Sequence, residues 1–278
     1  MAESALDRGT RHTSFLIRLG ARGVAIVEQV GSLWFLLLAA LGWMYRRFTR
    51  RDIRLGRVAI VAQMVRVGVA SIFIVSLVSG SIGFILALQM APPLDKLGQV
   101  HLVPNIVGVA VLRELGPLMA GIVLVGFAGA AISAEIGTMV VGEEVEALQA
   151  HALNPVRFLV VPRVIATVVC MVCLAVVSDI VAVGSGALMS KIGLGISWTT
   201  YFENTKMQVG PRDFLTGLVK AGVFGMLIGL IACNNGLKVT GGAAGVGRAT
   251  TQTVVQSVVA VIFADLLFTA VFYSLGLV

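Results

Sequence analysis

Long apolar runs constrain this chain more than any other feature of its sequence. Residues 67–94 contain no charged side chain, and a helix needs about 20 mostly apolar residues to cross a bilayer. Over the whole chain 58% of residues are hydrophobic and 13% are charged, whereas soluble domains carry about 25% charged residues. A soluble core could not bury this much apolar surface, so the sequence predicts an integral membrane protein.

Four further runs have the same character but carry one or two charges each. The predicted spans are residues 67–94, 106–134, 164–190, 214–237 and 249 to the C-terminus. The charges inside them are Arg113, Glu114, Asp179, Lys220 and Asp265. The expected fold is therefore an all-α integral membrane protein with five transmembrane helices.

The apolar segment 29–45 is close to the minimum length for a span, and its flanks are informative. Arginines lie on both sides of it: Arg8, Arg11, Arg18 and Arg22 before, and Arg46, Arg47, Arg50, Arg51, Arg54 and Arg57 after. Because basic flanks stay on the cytoplasmic side, we expect an interfacial or re-entrant helix rather than a span. The basic block then faces lipid headgroups and not nucleic acid.

The same rule gives the orientation and the domain division. We expect residues 1–60 to form a cytoplasmic and interfacial region, and residues 61–278 to form one transmembrane domain. The N-terminus is expected in the cytoplasm, and the C-terminus on the periplasmic side of a bacterial inner membrane.

Charges at membrane depth are costly, so they are usually paired or functional. At about 1.5 Å per helical residue, Arg113, Glu114, Lys220 and Asp265 fall at similar depth in the outer half, and their charges sum to zero. They predict a cavity for a zwitterionic or anionic lipid headgroup. The alternative is that these charges pair with one another and lock the bundle. Asp179 lies nearer the middle of the membrane and is not assigned to the cavity.

An acidic, amphipathic segment connects the second and third spans on the cytoplasmic side. It contains Glu143, Glu144, Glu146, Leu148, His151, Asn154 and Pro155. The apolar spacing predicts a short helix that the Asn154–Pro155 pair ends. This helix either lies in solvent or docks on a soluble partner as a coupling helix.

The glycine-rich stretch 241–251 has glycine spacing like that of a phosphate loop. However, Arg248 and Ala249 stand where such a loop needs Lys and Ser or Thr. We expect a flexible turn there, with Gly247 before the start of the last span. No catalytic or metal-binding motif is recognisable in the sequence, and Cys170, Cys173 and Cys233 lie in apolar stretches. No cofactor is expected on this chain.

Several ordered motifs resemble those of MlaE-type permeases, the membrane subunits of lipid ABC transporters. Residues 112–117 read LRELGP, residues 134–139 read AEIGTM, and residues 241–251 read GGAAGVGRATT. Between them stand Glu143–Glu144, Asn154–Pro155 and Pro162–Arg163, as in the family's coupling region. The resemblance extends over about residues 63–275 in matching order.

The resemblance implies a fold with an N-terminal interfacial helix and five spans. It also implies a pair of permeases working with two cytosolic ABC ATPases, which hold ATP and Mg, and with a substrate-binding protein that carries an MCE domain. The substrate would be phospholipid or a related lipid, moved between the inner and outer membranes. In the family the signature Arg-Glu lines the lipid cavity, which corresponds to Arg113 and Glu114, and a matching lysine corresponds to Lys220.

One departure and two alternatives accompany this interpretation. Many family members carry an Arg where this chain has Phe127 after Gly126, so a role of that Arg does not transfer. The buried charges are also compatible with an ion path in a secondary transporter or channel. A structural scaffold that only recruits a soluble partner is the other alternative.

Overall fold

The computed structural model describes residues 27–46 and 57–276, together with Gly20, Gly23 and Val24. The arginines predicted to flank the first helix at residues 8–22 and 47–54 lie outside the described residues. The helices are α1 (Val27–Arg46), α2 (Val58–Lys96), α3 (Val100–Val141), α4 (Glu144–Ala150), α5 (Val156–Leu194), α6 (Trp198–Gln208), α7 (Pro211–Leu237) and α8 (Gly242–Ser274).

The prediction of an all-α membrane protein is confirmed. The described residues form helices and no strand, and six of these helices are long and apolar enough to cross a membrane: α1, α2, α3, α5, α7 and α8. Five of the six correspond to the predicted spans. Length and composition alone do not separate α1 from them, so its contacts are informative.

Helix α1 touches the rest of the molecule at one end of the bundle. Its Ser32 accepts a hydrogen bond of 2.8 Å from Lys238, directly after α7, and Trp43 lies under Arg157 at the start of α5. Ser32 and Trp43 are about 16 Å apart along a helix, yet both contact residues at the same end of the bundle. These contacts place α1 across that end, as expected for an interfacial helix.

Helix α5 forms the centre of the bundle and packs against α2, α3 and α7. Its contact with α7 depends on the G-x-x-x-G pair of that helix. A Cβ added at Gly225 would lie 2.8 Å from Met171 Cβ, and one at Gly229 would lie 3.2 Å from Val164 Cα. Small residues allow helices to approach closely in a membrane, so this motif packs two helices of the same chain.

Helix α3 contains two π-helical turns, Val111–Leu115 and Val125–Gly129. The first includes Arg113 and Glu114 and is followed by Gly116–Pro117. Such turns insert one extra residue into a helix and are frequent at functional sites. They also change which side chains face the neighbouring helices, an effect that hydrophobic periodicity does not reveal.

Two helix boundaries differ from the sequence-based expectations, and one connection contains a helix that the sequence did not predict. Helix α8 begins at Gly242, after Gly241 with φ 84°, so Gly247 lies inside the helix and the predicted turn is shorter. Helix α4 ends at Ala150, because Ala152 adopts a left-handed φ of 58° before Asn154–Pro155 is reached. The connection between the third and fourth predicted spans contains α6, whose Tyr201 is buried, and burial raises the pKa of its phenol to about 12.

Candidate functional site

A buried lysine connects three helices at the centre of the candidate site. Lys220 Nζ of α7 donates to Glu114 Oε2 at 2.6 Å, to Asp265 Oδ1 at 3.0 Å and to Thr269 Oγ1 at 2.9 Å. Thr269 in turn donates to Glu114 Oε1 at 2.9 Å. We call these four residues the lysine cluster.

The geometry of the lysine cluster follows from the local structure of its helices. Asp265 and Thr269 are one helical turn apart on α8, so their side chains share a face. Glu114 lies in the π-helical turn of α3. The side chain of Lys220 is 1% exposed, that of Asp265 is 15% exposed, and that of Glu114 is 34% exposed. The lysine is sealed, whereas one carboxylate reaches the surface of the bundle.

Arg113 does not share these contacts. Its Nε donates to Asp213 Oδ1 at 2.6 Å, and Asp213 Oδ2 accepts from the backbone N–H of Gly210 at 2.8 Å. The ion pair thus fastens the first turn of α7 to α3. The structure separates Arg113 from the other three predicted residues and adds Asp213 to the charges: two cations and three carboxylates leave an excess of one negative charge.

Asp179 of α5 lies apart from Lys220, against Gly116 of α3. A Cβ at Gly116 would collide with Asp179 Oδ1, and neither carboxylate oxygen has a hydrogen-bond partner among the described residues. The carboxylate lines a groove of about 470 Å³ together with residues that include Leu112, Phe202 and Lys206.

A second ionic network lies at the end of the bundle that carries α4. Arg163 donates to Glu135 Oε1 at 2.9 Å, and Arg66 lies 3.0 Å from Glu135 Oε2. Gln63 donates to the same oxygen at 3.4 Å. We call this set the glutamate cluster, because Glu135 connects the start of α2, the end of α3 and the start of α5.

Helix α4 exposes most of the predicted coupling residues. Glu143, Glu144, Glu146, His151 and Asn154 are exposed, Leu148 and Pro155 are partly buried, and Val145 is buried. Glu143 precedes the helix with φ 60°, an unfavourable conformation for a residue with a side chain. Asn154 Oδ1 accepts from Val156 N at 3.0 Å and so caps the start of α5. The exposed face is acidic and available to a partner.

Sequence reasoning missed Thr269, Asp213, Glu135 and Arg163 as members of these sites. Thr269 follows Asp265 by four residues, which is the spacing for a shared helix face. Asp213 stands three residues after Gly210 with Pro211 between them, a pattern typical of a helix start. Glu135 and Arg163 were recognised only as parts of motifs, and no local pattern predicts that they pair.

Comparison with known proteins identifies the family. The family model described as Permease MlaE matches residues 60–271. The chain belongs to the MlaE permease family. A probable ABC transporter permease protein of Rickettsia felis is 35% identical over 256 residues, which cover 92% of this chain and 96% of the relative. The intermembrane phospholipid transport system permease protein MlaE of Haemophilus influenzae is 29% identical over 264 residues, covering 95% and 99%.

A plant relative extends the MlaE family beyond bacteria. The protein TRIGALACTOSYLDIACYLGLYCEROL 1, chloroplastic, of Arabidopsis thaliana is 33% identical over 212 residues, covering 76% of this chain and 61% of the relative. The matched MlaE region contains the lysine cluster, the glutamate cluster and α4. It also contains Phe127, which lies in the second π-helical turn of α3 with 42% of its surface exposed.

Proposed function

We propose that this chain is the permease subunit of an ATP-driven transporter that moves phospholipid between the inner and outer membranes. The relative named as an intermembrane phospholipid transport system permease supports the substrate class. The observation that carries the proposal is the lysine cluster. A membrane protein that holds three ionisable side chains at depth, with one carboxyl group partly exposed, has a polar surface where a lipid headgroup can bind.

The exposed edge of the lysine cluster supplies the lipid-binding part of the proposed site. Glu114 is partly exposed, and the neighbouring Arg113 side chain is 25% exposed although it pairs with Asp213. A carboxylate and a guanidinium on consecutive residues, each partly exposed, could bind the ammonium and the phosphate of a zwitterionic headgroup. Lys220 and Asp265 hold the carboxylate in place, so pairing and lipid binding are roles of the same network.

A second copy of the chain would complete the cavity. Helix α8 presents a row of exposed apolar side chains beside the lysine cluster: Val255, Val259, Ile262, Phe263, Leu266 and Leu267. A homodimer would enclose the edges of two lysine clusters between its protomers. Lipid would then enter from the surrounding membrane or from an MCE-domain substrate-binding protein.

Energy would come from a cytosolic ABC ATPase that holds ATP and Mg. The glycine-rich stretch lacks the lysine of a phosphate loop and is mostly helical, so ATP hydrolysis is assigned to a partner. Helix α4, with its acidic exposed face, is the proposed coupling helix. The N-terminus would be cytoplasmic and the C-terminus periplasmic, which puts α1, α4 and the glutamate cluster on the cytoplasmic side.

Asp179 favours a second candidate function, a secondary transporter or channel with an ion path. A buried carboxylate without a hydrogen-bond partner among the described residues is a group that could exchange a proton. This function predicts transport that follows a proton gradient and does not require ATP.

Co-purification and reconstitution test the proposal. The tagged chain, purified in mild detergent, should bring down an ABC ATPase and phospholipid, both identified by mass spectrometry. Transfer of fluorescent phospholipid from reconstituted vesicles should require hydrolysable ATP, and the isolated chain should hydrolyse none. Transfer that follows a proton gradient without ATP would replace the proposal with the second function.

A further inference from the structure

A polar pocket of about 300 Å³ lies at the α4 end of the bundle, far from the lysine cluster. It is formed by α1, the end of α7 and the start of α8, and its lining includes Glu28, Asn234, Lys238, Arg248 and Gln252. Lys238, directly after α7, is 18 residues from Lys220 of that helix, which corresponds to about 27 Å. The pocket is thus separate from the proposed transport site.

The charges around the pocket favour an anion. Lys238 donates only to the Ser32 hydroxyl, at 2.8 Å, and no ion pair involves Lys238 or Arg248 in the part of the chain that the structure describes. Among the described residues of the lining, Glu28 is the one carboxylate. Two cations against one carboxylate give this described part of the lining a net positive charge.

A buried amide in the wall provides a second, independent observation. Asn235 Nδ2 donates to Thr253 at 3.0 Å and to Gln256 at 2.8 Å, and so joins α7 to α8. The adjacent Asn234 is 5% exposed, and its Nδ2 has no hydrogen-bond partner among the described residues. An unsatisfied buried donor costs free energy. Asn234 lines the pocket, and rotation of its side chain would bring this donor to an acceptor bound there.

The start of α8 also favours an anion in this pocket. Gly245 in the first turn of this 33-residue helix lines the pocket. The first N–H groups of a helix lack intrahelical partners and carry partial positive charge, which favours anions such as phosphate.

The position of α1 identifies the source of the anion. This helix lies across the bundle end and exposes Trp34, Phe35 and Leu38, as an interfacial helix does when its apolar face enters the membrane. Its Glu28 and Gln29 border the pocket, so the opening lies at the level of the lipid headgroups. The volume is at the lower end of the range for small-ligand pockets.

We propose that this pocket binds the phosphate headgroup of an anionic phospholipid from the adjacent leaflet, with Lys238 and Arg248 as the cationic contacts and Asn234 as a neutral donor. A lipid bound there would join α1 to α7 and α8 without being transported. The negative charge of the ligand would pair with both cations.

Binding of short-chain lipids to the full-length, delipidated protein in detergent tests this site. The probes are short-chain phosphatidylglycerol, short-chain phosphatidylcholine and inorganic phosphate, and native mass spectrometry counts the bound molecules. Wild-type protein should hold a phosphatidylglycerol that the other two probes do not displace. The Lys238→Gln/Arg248→Gln variant should bind it about thirtyfold more weakly, since each cation near an anionic lipid contributes about one factor of five to six.

Matched variants make the result specific. Lys96→Gln/Lys191→Gln removes two exposed lysines at the opposite end and should bind as wild type. Glu114→Ala should also retain this lipid, which separates the pocket from the transport site. If the double variant does not fold, Gln252→Glu places a negative charge in the wall and should weaken binding in the same direction. Undiminished binding by a folded pocket variant, or displacement by inorganic phosphate, would overturn the proposal.

Discussion

The lysine cluster and the glutamate cluster are mirror images in charge and differ in burial. In the first, Lys220 with a 1% exposed side chain lies between two carboxylates. In the second, Glu135 lies between two arginines, of which Arg163 is 7% and Arg66 is 65% exposed. The central charge of the lysine cluster, Lys220, is buried within the membrane region. In the glutamate cluster, Arg66 reaches solvent.

This difference indicates different roles. Removing the centre of the lysine cluster would leave two carboxylates close together without a cation, and Asp265 is too buried for water to replace that cation. The glutamate cluster lies at the end of the bundle, and water can replace Arg66 at little cost. We therefore expect the first cluster to control both folding and lipid binding, and the second to join α2, α3 and α5.

The largest effect is expected from Lys220→Met. The variant should lose about 3–5 kcal/mol of unfolding free energy, because breaking a buried ion pair leaves unpaired charge. Unfolding in mixed micelles with increasing SDS measures it. The Lys220→Met/Asp265→Asn variant should recover part of the loss, since it removes one of the two facing carboxylates. A Lys220→Met protein as stable as wild type would show that the lysine is not a structural centre.

Glu135→Gln is expected to have an intermediate effect. It leaves the nearly buried Arg163 with a neutral partner, which should cost about 1–3 kcal/mol in the same unfolding assay. Lipid transfer per folded molecule should change little. A loss of transfer without loss of stability would assign the glutamate cluster a role in transport and remove the contrast between the clusters.

Thr269→Val tests the one uncharged member of the lysine cluster. Its hydroxyl bonds both Lys220 and Glu114, so the isosteric change should cost about 1 kcal/mol. Thr251→Val is the matched control, because the Thr251 hydroxyl is exposed and bonds only the backbone of its own helix. Equal stability of the two variants would contradict a role of Thr269 in the network.

Arg66→Gln should have the smallest effect, below about 1 kcal/mol, because the pair is exposed. Raising the salt concentration should reduce the difference from wild type further, since salt screens exposed charges. A loss of unfolding free energy as large as that of Glu135→Gln would mean that the Arg66–Glu135 and Arg163–Glu135 ion pairs stabilise the protein equally.

The sequence predicted the helices better than it predicted the sites. Long apolar runs with at most two charges each predicted five helices that the structure contains, because the bilayer imposes length and charge rules on every membrane chain. The grouping of Glu114, Lys220 and Asp265 followed from depth estimated at a fixed rise per residue.

The depth of a residue in the membrane does not say towards which neighbouring helix its side chain points. The π-helical turn at Val111–Leu115 directs neighbouring residues to different partners, so Arg113 meets Asp213 while Glu114 meets Lys220. The end of α4 depended on the left-handed Ala152, a conformation with no signal in the residue type. Pairing between distant residues such as Glu135 and Arg163 requires the packed bundle.

Lipid transfer by Glu114→Ala and by Glu135→Ala in the reconstituted transporter, with each rate divided by the amount of folded, assembled protein, tests the role of the lysine cluster most directly. Glu114→Ala should assemble normally and transfer phospholipid at least tenfold more slowly, while Glu135→Ala should lose stability but keep its rate per folded molecule. Wild-type transfer by assembled Glu114→Ala protein would contradict the claim that the exposed edge of the lysine cluster binds the transported lipid.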